Sequence, residues 1–222
     1  MSERSVYFFF VLARTVLEKD PESGELERAL INLASAAARA DLTFVPHNVC
    51  DPQTAQTALR RAASELPTGA LFRYWFRCDG DYDLAVALNP AERMAFVSVN
   101  VNFFLQDETV APVLTFLRHF YEHFAACYGY GPVAATAYPT DIQAIDDGRI
   151  PGVYYYNFLG PQIVEHYGAE QLKGLPAWQI DTLRPSGLLI ALVRNPLYGK
   201  DANATVHEEL ARTLDLGLDG HP

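Results

Sequence analysis

The string His119-Phe120-Tyr121-Glu122-His123 is the pattern in this chain whose residue types and spacing come closest to catalytic machinery. Two imidazoles and a carboxylate in this order on a helix can hold a zinc ion and place a general base beside it. At about 100° per residue, however, Val110, Val113, Leu114, Leu117, Phe120, Tyr121 and Phe124 share one helical face, and His119, Glu122 and His123 fall on the opposite one. A catalytic zinc needs a third protein ligand and a cleft that limits its coordination. An outward-facing triplet offers neither, so the pattern predicts a solvated helix face, and neither a metal nor a cofactor is expected.

Other chemistry is weaker still. Asp79-x-Asp81-x-Asp83 imitates the opening of a calcium loop, but the sixth position is Leu84 where the loop needs glycine, and the twelfth is Pro90 where it needs glutamate. What remains is an acidic hairpin tip. No Gly-x-Ser-x-Gly elbow, Walker loop or dinucleotide fingerprint occurs, and Gly129-Tyr130-Gly131-Pro132 lacks the third glycine of the last. Cys50, Cys78 and Cys127 are odd in number and have no Cys-x-x-Cys spacing, which argues against a disulfide framework or a zinc knuckle and for reduced, structural thiols. Three cysteines and six histidines keep Cys-His catalysis open as an alternative, because such partners meet only in the fold.

Charge narrows the partners. Twenty-seven acidic against 17 basic side chains give −10, a field that repels nucleic acid and anionic membranes and accommodates a cationic protein. No run approaches the roughly 18 apolar residues of a membrane span. The apolar stretch Val6 to Ala13 behind Arg4 is short for a signal-peptide core, and its Val-Tyr-Phe-Phe-Phe-Val composition reads as a buried strand. A cytoplasmic location is expected, where the sequon Asn203-Ala204-Thr205 has no consequence.

A chain of 222 residues, half of them hydrophobic, can bury one substantial core, and no linker or repeat divides it, so a single domain over residues 1–222 is expected, with a loose tail at 215–222. Ser5 to Ala13 predicts a central strand. A helical period runs from Ser23 to Ala40, a short strand covers Leu42 to Val45, and Asp51-Pro52 starts a helix to Leu66. Ala70 to Cys78, Tyr82 to Leu88 and Met94 to Phe104 form an antiparallel meander, with Val97, Val99 and Val101 opposite Ser98, Asn100 and Asn102. Asp107 to Cys127 is the longest helix.

After the Gly129-Tyr130-Gly131 turn come a strand at Val133 to Ala137, a short helix from Pro139, a polar loop Asp146-Asp147-Gly148 and a strand at Val153 to Phe158. Gly160-Pro161 opens another helix. Trp178 to Leu183 and Leu188 to Val193 form a hairpin, and Asp201 to Leu214 a last helix. Successive strands without intervening helices favour α+β, a mostly antiparallel sheet packed with several helices. In the strand at 153–158, Tyr154 and Tyr156 are expected on one side and Tyr155 on the other.

The C-terminal third carries a family likeness. Gly152-Val-Tyr-Tyr-Tyr-Asn-Phe-Leu-Gly160, Glu165-His-Tyr-Gly168, Ser186-Gly-Leu-Leu-Ile190 and Asn195-Pro-Leu-Tyr-Gly-Lys-Asp-Ala-Asn203 resemble the bacterial type VI immunity family and the related immunity protein 52 family. Tyr155 stands where those families usually have tryptophan, and Ser186-Gly187 replaces a glycine pair. The likeness is clearest over residues 148–205. It implies an immunity protein that binds and neutralises a cognate toxin delivered by a neighbouring cell, with no catalytic residues and no cofactor. On that reading Asp79, Asp81, Asp83, Asp146, Asp147, Tyr154 and Tyr156 are the candidate contacts with a toxin of basic charge: the acids to speed encounter and the tyrosines to slow release. A metal-dependent or Cys-His hydrolase, and a small-molecule-binding domain with an aromatic pocket near Tyr155 and Trp178, are the alternatives.

Overall fold

A computed structural model describes residues 5–13, 72–78, 82–89, 93–100, 107–133, 141–195, 208, 210–212 and 214. The helices expected at 23–40 and 52–66 and the strand at 42–45 lie outside them. The chain falls into two compact units, one of residues 1–5 and 12–125, the other of residues 6–11 and 126–222. The class is α+β, and the five strand pairings whose register is described are antiparallel.

The first unit contains the expected meander. Strands β2 (Phe72–Cys78), β3 (Tyr82–Asn89) and β4 (Met94–Asn100) lie in that order, with Cys78 opposite Tyr82 at one turn and Asn89 opposite Met94 at the other. In β4, Val97 and Val99 are buried while Phe96 and Ser98 are half-buried, the alternation of a sheet with one wetter side. Arg93 locks the end of this meander to Leu12. Its carbonyl accepts the Leu12 N–H at 2.8 Å, and its Nε donates to the Leu12 carbonyl at 3.1 Å.

Helix α1 (Asp107–His123) completes what is described of this unit, with Pro112 inside it. Val110, Val113, Phe116, Leu117, Phe120, Tyr121 and Phe124 are all buried, as the helical period predicts. The helix ends earlier than expected. Phe124 still donates to the Phe120 carbonyl, but Ala125 has φ of 45°, a left-handed residue that stops the helix after its last turn. The sequence gives no glycine or proline there to signal the stop.

What was expected to be helix end and glycine turn is instead the strand β5 (Ala126–Val133) of the second unit. Its glycines are sites of close approach. A Cβ on Gly129 would meet the ring of Phe10, and one on Gly131 would lie 2.6 Å from Phe8 Cδ1 and 2.7 Å from the Tyr7 carbonyl oxygen. Of the strand expected at 133–137, Val133 is the last residue of β5 and the remainder lies outside the described residues.

The second unit is ordered β1 (Ser5–Leu12), β5, β6 (Tyr156–Leu159), β8 (Gly187–Ala191), β7 (Gln179–Leu183). Tyr128 opposes Leu159, Phe158 opposes Leu189, and Ile190 opposes Ile180. Phe8, Phe9, Phe10 and Val11 are all buried, which explains the continuous apolar run of β1: it is covered on both faces. On one face Phe8 stacks on Tyr156 and Phe10 meets Phe158. On the other, Phe9 stacks on Tyr130, which stacks on Tyr128.

Short helices carry the connections. In α2 (Ile142–Asp146) the Asp141 carboxylate accepts from the Ala144 N–H at 2.8 Å, an N-cap in place of the expected start at Pro139. Helix α3 (Pro161–Tyr167) opens on Gly160-Pro161 as expected, and α4 (Ala169–Lys173) follows Gly168. Both α2 and α3 pack against β5. Glu208 and Leu210–Arg212 are helical, within the last helix expected. Among the described residues no helix is long and apolar enough to cross a membrane.

Candidate partner interface

The zinc-like string sits as its helical projection requires. Phe120 and Phe124 are buried, whereas His119, Glu122 and His123 are half-buried. Among the described residues no group of three His, Cys, Asp or Glu side chains converges as a metal site.

The acidic candidates are scattered through the fold. Asp79 and Asp81 lie outside the described residues. Asp83 occupies the β3 position opposite Arg77 of β2. Asp146 ends α2 half-buried, and Asp147 follows as its exposed C-cap. The Asp147 carboxylate accepts from Gln143 Nε2 at 2.9 Å and from Arg149 Nη2 at 3.2 Å. An exposed pair of this kind contributes little to stability, but it sets a cation beside the acid and weakens the local negative field.

The tyrosines separate. Strand β6 begins at Tyr156, so Tyr154 and Tyr155 precede it and the expected alternation fails at that point. Tyr156 has none of its surface exposed, and its hydroxyl donates to the Arg194 carbonyl at 2.5 Å. It is a core residue where the sequence reading placed it at a surface. Tyr154 is half-buried, its ring centroid 4.0 Å from that of Tyr130. Buried Asn157 holds it there: the amide oxygen accepts the Tyr154 N–H, and the amide nitrogen donates to the Tyr154 carbonyl.

Beneath Tyr154, Tyr128 donates its hydroxyl to the Gly152 carbonyl at 2.9 Å. Burial raises the Tyr128 hydroxyl well above its usual value near 10, with Tyr154, Tyr130 and Tyr167 adding to the effect, and burial also raises Tyr154. Both groups stay protonated in the fold at pH values where the unfolded chain has lost those protons. Stability is therefore fully present below about pH 10 and is lost as pH climbs through the folded-state values. Alkaline titration should show tyrosinate absorbance from these two residues rising together with loss of tertiary structure, and not ahead of it.

Among the described residues Trp178 is an exposed large hydrophobic side chain, at 44%, at a position that sequence reasoning named with Tyr155 for a small-molecule pocket and not for partner contact. It immediately precedes β7, the end strand of the second unit's order. Its N–H donates to the Leu192 carbonyl at 3.2 Å, and the Leu192 N–H donates to the Tyr155 carbonyl at 2.8 Å. These bonds align Trp178 and half-buried Tyr155 at the same end of β7, β8 and β6, with exposed Arg194 beyond Leu192. The signal was present as Trp178, Ile180 and Thr182 on one side of a hairpin arm, where Trp178 and Thr182 are exposed and Ile180 is half-buried. An indole held by backbone bonds but left open to water is the kind of group that anchors protein interfaces.

No protein-family model matches the chain, and no curated protein does. Among solved structures it is similar in fold to one titled "Pseudomonas aeruginosa T6SS protein PA0821", with a TM-score of 0.52 and 12% identity over 96% of this chain and 75% of that one. At that identity the likeness concerns the fold.

Proposed function

We propose that this chain is an immunity protein that binds a cognate secreted bacterial toxin and neutralises it by one-to-one occlusion, acting in the cytoplasm without catalysis or cofactor. The observation that carries the reading is the fold likeness, across nearly the whole chain, to a protein of the T6SS, the type VI secretion system that bacteria use against neighbours. It agrees in direction with the type VI immunity pattern between Gly152 and Asn203. The charge of −10 suits a basic toxin, steering encounter over a distance set by ionic strength.

Trp178 and Tyr155 supply the anchor on this reading. Trp178→Ala is expected to weaken toxin binding about 30-fold or more, as loss of a central interface tryptophan does. Unfolding stability should change by less than about 1 kcal/mol, because the indole is not part of the core. The governing experiment is co-expression with the product of the neighbouring toxin gene: rescued growth and a stable one-to-one complex support the proposal, and continued killing with no complex refutes it.

A further inference from the structure

The two histidines that fail as an enzyme centre have a geometry of their own. His119 and His123 are four residues apart on α1, their rings lie 6.0 Å apart between centroids and 16° from parallel, and both are half-buried. We propose that they form a two-imidazole chelate for a divalent transition-metal ion of the zinc and copper(II) class. This goes beyond toxin neutralisation and does not depend on it.

Ring separation decides feasibility. Two imidazoles sharing a tetrahedral zinc with Zn–N bonds of about 2.0–2.1 Å bring their centroids to about 5 Å. Side-chain torsions close the remaining gap and turn the near-parallel rings so that their in-plane lone pairs meet at one ion, without disturbing the helix. The backbone beneath is held, since Phe120 and Phe124 on the buried side stack at 4.6 Å and fix the same turn from below. Glu122, three residues from His119, adds negative charge on the exposed side. Among the described residues His119 and His123 are the ligands at hand, and water takes the remaining coordination positions. Nitrogen ligands favour copper(II) over zinc and disfavour magnesium and calcium, which require oxygen.

The test uses the full chain and zinc chloride alone. Competition against a chromophoric chelator is expected to give one site of micromolar affinity, and zinc should raise the unfolding midpoint, since residues 119 and 123 converge only in the helix. His119→Gln and His123→Gln should each weaken binding about tenfold or more and abolish the midpoint shift. His166→Gln on α3, an exposed histidine stacked edge-on against Tyr167, should change neither. Circular dichroism identical to wild type establishes that the variants fold. The proposal is overturned if either variant of the pair binds as wild type does, or if wild type fails to bind at millimolar zinc.

Discussion

Tyr156→Ala lowers unfolding stability by about 4 kcal/mol, the expected cost of deleting a fully enclosed aromatic side chain. The ring is stacked on Phe8 at 6.2 Å between centroids, and its hydroxyl donates to the Arg194 carbonyl. Its removal opens a cavity whose floor is Gly131, the residue paired with Tyr156 across β5 and β6, which has no side chain to fill it. Tyr156→Phe keeps the ring and loses only the hydrogen bond, so about 1 kcal/mol is expected. Denaturant unfolding of the pair measures both terms. A partner-contact role for Tyr156 predicts the opposite ranking: little change in stability, and loss of binding even for the phenylalanine variant.

Gly160→Ala is expected to cost about 3 kcal/mol, although it adds a single methyl group. Gly160 donates its N–H to the Cys127 carbonyl at 2.9 Å, which draws the two backbones together where β6 passes into α3. A Cβ there would meet the carbonyl oxygen of Cys127 and lie 2.9 Å from its Cα and 3.0 Å from its carbonyl carbon. These are backbone atoms of β5, so relief requires the strand to move. In turn Cys127 is held through its thiol, which donates to the Val11 carbonyl at 3.3 Å, so displacement of β5 disturbs β1 as well. A thermal midpoint lowered by roughly 10 °C checks the expectation; an unchanged midpoint shows that the β5 backbone yields freely at Cys127.

Where local pattern and tertiary packing agree, the sequence is a sufficient guide. The meander was legible because β-rich runs and turn residues alternate, α1 because its apolar residues repeat at 3.6, and α3 because Gly160-Pro161 is a start signal that holds in any context. The failures have one physical origin: residues whose meaning depends on a distant neighbour. Gly129 and Gly131 look like a turn until Phe10 and Phe8, more than a hundred residues earlier, are laid over them. Ala125 stops a helix through its φ and not its identity. Tyr156 was placed at the surface for the same reason: Tyr156 and Trp178 are both amphipathic aromatics in strand-like segments, and only the sheet order shows that one is interior and the other beside the terminal strand.

The position of β1 beside β5 governs the order in which the molecule can be made. Val6 to Val11 are synthesised well before their neighbours in the sheet, and the carbonyl of Val11 waits for the thiol of Cys127, 116 residues later. At translation rates of about 5–20 residues per second, that interval is on the order of ten seconds. Throughout it, Tyr7-Phe8-Phe9-Phe10-Val11 has no strand to pair with in its own unit, and the nascent chain carries an adhesive apolar segment until β5 is made.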